Sequence, residues 1–192
     1  WDEPRFTGYL EFDYASGDSD PQTRTPLTQF RFAEDTNVGL LMFEFSRFYS
    51  TDYEHGRDFV ADLDVFFSKL PKVWNYGVEI RNKDWLQPDY FAVLRKHGVV
   101  HVFNNWSMMP TVGEQMMVPG SDTSDSMVAA RFLLKPGRKY EEAVEQFSPY
   151  KSVKEVNAEA RAAGKSLIQR ARQHGKQASI YVNNRLEDLD GS

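Results

Sequence analysis

Cysteine is absent from all 192 residues of the chain. That one gap removes disulfides, thiol nucleophiles and thiolate-ligated zinc or iron–sulfur sites. Histidine is scarce, at four residues, and no HExxH pair occurs, so the short-spaced imidazole ligands of a zinc protease helix are missing as well. The glycine-rich phosphate loops GxGxxG and GxxxxGKS/T are absent, and no serine sits in a GxSxG strand-to-helix elbow. No continuous apolar run approaches the ~18 residues of a membrane span, and the first residues lack the basic-then-apolar pattern of a signal peptide. These gaps lead to the expectation of a soluble, cytoplasmic protein with no membrane partner. Positive charge is not in excess either: 23 Lys and Arg stand against 28 Asp and Glu, for a net charge of −5. A large uniform positive field for a phosphate backbone is therefore lacking, and no nucleic-acid partner is expected.

What is present is a composition suited to one folded domain, 41% hydrophobic and 14% aromatic. Short runs rich in β-branched or aromatic residues at Gly39 to Phe45, Tyr76 to Arg81, Val99 to Phe103, Val128 to Leu134 and Ala178 to Val182 read as strands. Helical patterns fall between them. Phe59, Leu63, Phe66, Phe67 and Leu70 recur at three- and four-residue spacing over Asp58 to Leu70. A second helix starts at Pro88, carries Tyr90, Phe91 and Leu94, and ends at Gly98. A third runs from about Val153 to His174, with Val156, Ala160, Ala163, Leu167, Ile168 and Ala171 on one face. Arg170, Arg172 and His174 near its end suit the negative pole of the helix dipole. Repeated strand–helix–strand order implies right-handed parallel crossovers, hence an α/β sheet or a TIM-barrel-like (β/α) barrel.

Three stretches depart from that rhythm. Ala15 to Pro26 is rich in Ser, Asp, Thr and Gly, so residues 1–36 are expected to be an irregular segment, with the α/β domain over 37–192. Between Asn104 and Met127 no clear helix is legible, and Met108, Met109, Met116 and Met117 read as an adaptable apolar flap over the barrel mouth. Lys135-Pro136-Gly137-Arg138-Lys139 follows a strand end, and its cations suit either a solvated loop or an anionic ligand.

The chemistry concentrates at Tyr76-Gly77-Val78-Glu79-Ile80-Arg81-Asn82, a strand whose apolar alternation breaks at an acid and an arginine. Alternation puts Glu79 and Arg81 on one face, with Val78 and Ile80 on the other. In parallel barrels ligand sites gather at the carboxyl ends of the strands. Here those positions hold Glu44, Glu79, Arg81, Asn82, His101, Asn104, Asn105, Arg131, Lys135, Asn183 and Asn184. Glu79, Arg81 and His101 are the candidates for chemistry; Asn82, Arg131, Lys135, Asn183 and Asn184 are the candidates for ligand binding. Arg81, Arg131 and Lys135 together suit an oxyanion, since arginine binds carboxylate and phosphate through paired N–H groups. A carboxylate beside arginine stays ionised, which favours binding or electrostatic stabilisation over general-acid work. Glu79 and Arg81 read equally well as a structural ion pair, and His101 as a hydrogen-bonded core residue. Glu44, Glu79, His101 and the asparagines offer oxygen and imidazole ligands that give only a weak signal for a divalent metal, so no metal ligand set is assigned and the cofactor is unknown. Trp85 and Trp106, just past strand ends, suit either ring stacking on a ligand or core packing.

Three ordered motifs carry a family likeness: Gly77-Val78-Glu79-Ile80-Arg81-Asn82 with Trp85, Ala130-Arg131-Phe132-Leu133, and Tyr181-Val182-Asn183-Asn184. Through them the chain resembles the YecE-like family, a bacterial and archaeal family of unknown function, over about Asn37 to Glu187. The resemblance implies a TIM barrel. The family's Trp- and Gly-containing first strand and its Glu–Asn segment are not found, and Asp188-Leu189-Asp190 stands where a glycine and a closing helix are expected. The expectation is a barrel incomplete by about three N-terminal strands of the usual eight. On these residues three functions stand side by side: an enzyme acting on a small polar or anionic metabolite, a noncatalytic binding module using the same pocket, and an assembly module.

Overall fold

In the computed structural model, residues 39–133 and 157–182 are described. Five strands, β1 (Leu41–Glu44), β2 (Tyr76–Glu79), β3 (Val100–Asn104), β4 (Met127–Phe132) and β5 (Gln177–Val182), form one sheet in the order β1-β2-β3-β4-β5. Every pairing is parallel. Helix α1 (Gly56–Lys69) links β1 to β2, α2 (Pro88–His97) links β2 to β3, the short α3 (Val112–Met117) lies between β3 and β4, and α4 (Ala158–Gln173) precedes β5. The result is a curled α/β half-barrel. Its described strands number five, where a closed barrel has eight.

Local signals explain the elements. Pro88 opens α2, and Gly98 closes it at φ 68°, a left-handed conformation that L side chains rarely adopt. The Asn157 side chain accepts from the Ala160 N–H at 3.0 Å and caps α4. Helix α3 corrects the expectation of a helix-free stretch after Asn104. The Thr111 hydroxyl accepts from the Glu114 N–H at 3.2 Å while the Glu114 carboxylate accepts from the Thr111 N–H at 2.8 Å. That capping box starts a helix too short to show apolar periodicity.

Alternation along the strands separates two faces. Outward, Phe43, Tyr76, Val78 and Ile80 pack with Phe59, Leu63 and Phe67 of α1 and with Tyr90, Phe91 and Leu94 of α2. Farther along the sheet, Phe103, Val128, Ala130 and Phe132 pack with Leu167 and Ala171 of α4 and Val112 and Met116 of α3. Each fully buried side chain of this size contributes about 1.5–3 kcal/mol. Inward, Leu40, Val100, Val102, Met127 and Ala129 make a smaller apolar layer at the amino ends of the strands. Gly77 belongs to that layer because a Cβ there would stand 2.9 Å from Val102 Cγ2. Only glycine leaves room across β2 for Leu40, just ahead of β1, and Val102 of β3 to meet.

Candidate functional site: a charged cluster on the concave face

Above the inner apolar layer, at the carboxyl ends of the strands, the concave face turns from hydrocarbon to charge. Glu44 ends β1 and pairs in register with Glu79, which ends β2. Two carboxylates side by side on neighbouring strands repel each other. Two arginines resolve the conflict. Arg81 Nη2 donates to Glu44 Oε1, and its Nε lies 3.6 Å from Glu79 Oε1. Arg131 Nη1 donates to Glu44 Oε2 and lies 3.4 Å from Glu79 Oε2. The four formal charges sum to zero.

Curvature makes this possible. In a flat sheet β1 and β4 would lie about 14 Å apart, three strand spacings; the Arg131–Glu44 contact joins them because the sheet curls around its inner face. Glu79 is wholly buried, while the side chains of Arg131, Arg81 and Glu44 are 15, 20 and 25% exposed. Burial, and secondarily the positive charge of Arg131, lowers the pKa of Arg81 from its usual value. Its guanidinium also lies over the Trp106 ring, 5.5 Å from the centroid, which gives the cluster one aromatic wall. Tyr181 of β5 is the register partner of Arg131.

The other sequence candidates lie elsewhere. His101 points outward, ringed by Tyr90, Phe91 and Phe103, with its Nδ1 3.2 Å from the Tyr90 hydroxyl. Burial lowers its pKa to about 3 against the opposing effect of a hydrogen bond with Gln115, so it is neutral at pH 7. Asn82 spends its amide on the chain: its Oδ1 accepts from the Phe48 N–H and its Nδ2 donates to the Phe48 carbonyl, both at 2.9 Å. It thus extends the β1–β2 pairing beyond the last strand residue. Asn104 Nδ2 donates to the Ile80 carbonyl at 3.1 Å, and Asn105 exchanges hydrogen bonds with the Leu133 backbone. Lys135, Asn183 and Asn184 lie outside the described residues.

Trp85 packs in the outer layer, stacked on Phe59 and Phe48 at centroid distances of 5.0 and 5.6 Å. Sequence reasoning included Glu44 among the strand ends but gave it no part in the charge pairing. The structure makes it the hub joining both arginines. The signal was its parity with Leu40 and Met42, which places all three on the inner face.

Among the described residues no group of three or more His, Asp and Glu is placed to hold a metal ion, and no helix is long and apolar enough to cross a membrane. The arrangement can hold negative charge in a fixed, partly desolvated position, with a guanidinium on either side.

Comparison with known proteins agrees with this architecture. The family described as "Protein of unknown function DUF72" matches residues 18–189, a span beginning ahead of Asn37, where the motif likeness was first legible. Among solved structures, a DUF72 family protein from Thermotoga maritima superposes with a TM-score of 0.51 at 16% identity, covering 78% of this chain and 52% of its own. A DUF72 family protein from Enterococcus faecalis gives a TM-score of 0.49 at 17% identity, covering 77% and 54%. At such identities the Thermotoga likeness speaks for the fold alone. The chain spans about half the length of the solved structures it matches. No curated protein matches the sequence. With the family match running through most of its length and a parallel half-barrel beneath it, the chain belongs to the DUF72, or YecE-like, family.

Proposed function

We propose that the concave strand-end cluster binds a small polar or anionic metabolite. Arg81 and Arg131 hold its negative charge, and Glu79 orients both guanidiniums from below. One observation carries the reading: four charged side chains, Glu44 of β1, Glu79 of β2, Arg81 just past it and Arg131 of β4, converge at the carboxyl ends of parallel strands, with Glu79 fully buried among them. Fixing charge out of water costs stability that apolar residues of similar size would not, and a site for a charged ligand gives that cost a purpose. Lys135, Asn183 and Asn184 follow β4 and β5 in the chain, and we assign them the remaining ligand contacts on that basis. His101 has no contact with the ligand in this reading, because its ring packs among helix α2 side chains.

The test is thermal stability of wild type and Glu79→Gln, each first shown to be folded, against divalent metals, phosphorylated metabolites and sugars. A ligand present at a hundred times its Kd stabilises the native state by about 2.7 kcal/mol. The expected result is a compound that raises the melting temperature of wild type and leaves Glu79→Gln unmoved. The competing reading, a noncatalytic binding or assembly module in which Glu79 and Arg81 form a structural ion pair, draws on the complete burial of Glu79. It predicts a large loss of stability in the variant and, for the assembly module, no shift with any compound.

A further inference from the structure

We propose that Arg81 and Arg131 form a two-armed oxyanion seat, and that the Glu44 carboxylate is its displaceable internal occupant. The ligand group is then a carboxylate or a phosphate that takes the place of Glu44. This deepens the binding reading above and rests on it.

The geometry of Glu44 carries the argument. Its two oxygens go to different arginines, Oε1 to Arg81, two residues past the end of β2, and Oε2 to Arg131 of β4. An O–C–O bridge between two guanidiniums is how a bound oxyanion sits, since each arginine offers N–H groups in a fixed fork. Glu44 and Glu79 touch the same two cations and differ in accessibility. Glu79 is wholly buried, whereas Glu44 is the most exposed of the four at 25%. Glu44 is also the last residue of β1, and the ladder continues past it, because the Phe45 N–H donates to the Glu79 carbonyl at 2.9 Å. The side chain can therefore rotate away while the backbone stays paired.

Charge counting agrees. With Glu44 turned out, Arg81, Arg131 and Glu79 leave a local charge of plus one, and an anionic group restores neutrality. Trp106, under the Arg81 guanidinium, supplies an apolar surface for the body that carries the group.

An occupant tethered to its own site competes with every external anion, so its removal should raise affinity. The experiment is calorimetric titration, at low fixed ionic strength, of wild type, Glu44→Ala and Glu44→Gln with inorganic phosphate and separately with succinate. Both variants are expected to bind at least one of the two about tenfold more tightly than wild type, the scale of freeing charge-assisted hydrogen bonds. Which of the two gains more identifies phosphate or carboxylate as the natural group. The gain should vanish when Arg131→Gln is added. The seat is overturned by folded variants that gain nothing, by a gain that survives Arg131→Gln, or by unfolding of both variants, which would make Glu44 a fixed strut. A neutral sugar that stabilises wild type and not Glu79→Gln, with no oxyanion gain in the Glu44 variants, sinks the seat and leaves the binding site standing. No binding by any compound to any of the proteins sinks both.

Discussion

On β2, Val78 and Glu79 are adjacent in the chain and equally inaccessible to solvent, yet they meet opposite surroundings. Val78 faces outward into the layer formed by α1 and α2, where its neighbours are hydrocarbon and aromatic rings. Glu79 faces inward to two arginines and a second carboxylate. Polar groups on the two faces differ in the same way. Outward, His101 is neutral and hydrogen-bonded to a tyrosine, and its backbone N–H is held at 2.8 Å by Thr123. Inward, at the strand ends, four full charges balance one another. Complete burial therefore does not by itself mark structure or function. The outer face uses burial to hold helices to the sheet, whereas the inner face keeps charge at a mouth that is still partly open to solvent.

The largest expected effect tests the outer half of that contrast. Phe67 of α1 is fully buried and packs its ring against Phe43, Phe66 and Tyr76. Phe67→Ala should cost about 3–5 kcal/mol in urea denaturation, the usual loss for deleting a buried aromatic ring. A loss below about 1 kcal/mol would mean that the α1 layer is not what holds the sheet. Whatever fraction remains folded should keep its affinity for ligand, because Phe67 touches none of the four charged side chains.

Acid provides the second comparison. Folded His101 takes up a proton only near pH 3, whereas in the unfolded chain it does so near its ordinary value of 6.5. Between those values the unfolded chain binds more protons, so the contribution of His101 is complete above about pH 6.5 and declines as pH falls toward 3. At about 1.4 kcal/mol per pH unit, the decline reaches roughly 3 kcal/mol by pH 4. Denaturation of wild type and His101→Asn at pH 7, 5 and 4 isolates this share from that of the carboxylates. The variant should show the shallower pH dependence; equal slopes would place the acid sensitivity elsewhere, the inner cluster being the next candidate.

Much of the fold was legible in the chain because its elements obey simple periodicities. Strand positions came from short β-branched and aromatic runs, and α1 and α2 from three- and four-residue spacing, with Pro88 and Gly98 marking the ends of the second. Helix α3 was not legible, since six residues give periodicity too little length. The side-chain alternation of β2 correctly put Glu79 and Arg81 on one face. It could not show that Arg131, 50 residues farther along the chain, would reach the same carboxylate, because that depends on the curl of the sheet. The outward placement of His101 has a related reason. A histidine near a strand end belongs to the site only if its parity points inward, and Val100 and Val102 occupy the inward positions on β3.

The smallest of these effects concerns Asn82, which lies where site and scaffold meet. Both polar ends of its amide are engaged by the Phe48 backbone in a part-buried setting. Asn82→Ala leaves that N–H and C=O to find water, at a cost of about 1–2 kcal/mol. If the amide serves only to continue the β1–β2 ladder, denaturation midpoints fall by that amount, and the affinity of the folded protein for phosphate or succinate stays within about twofold, a change below ~0.5 kcal/mol. A ligand contact would show the reverse pattern, with stability nearly unchanged and affinity reduced. The loop after β1 adds a further consequence, because Phe48 also stacks on Trp85 and packs against Tyr53 and Phe59. Loosening Phe48 would let that aromatic group shift as a unit and carry with it the backbone that follows Glu44. A rise in oxyanion affinity in Asn82→Ala, without any loss of Arg131 dependence, would show that the scaffold beneath the loop helps to hold Glu44 in its seat.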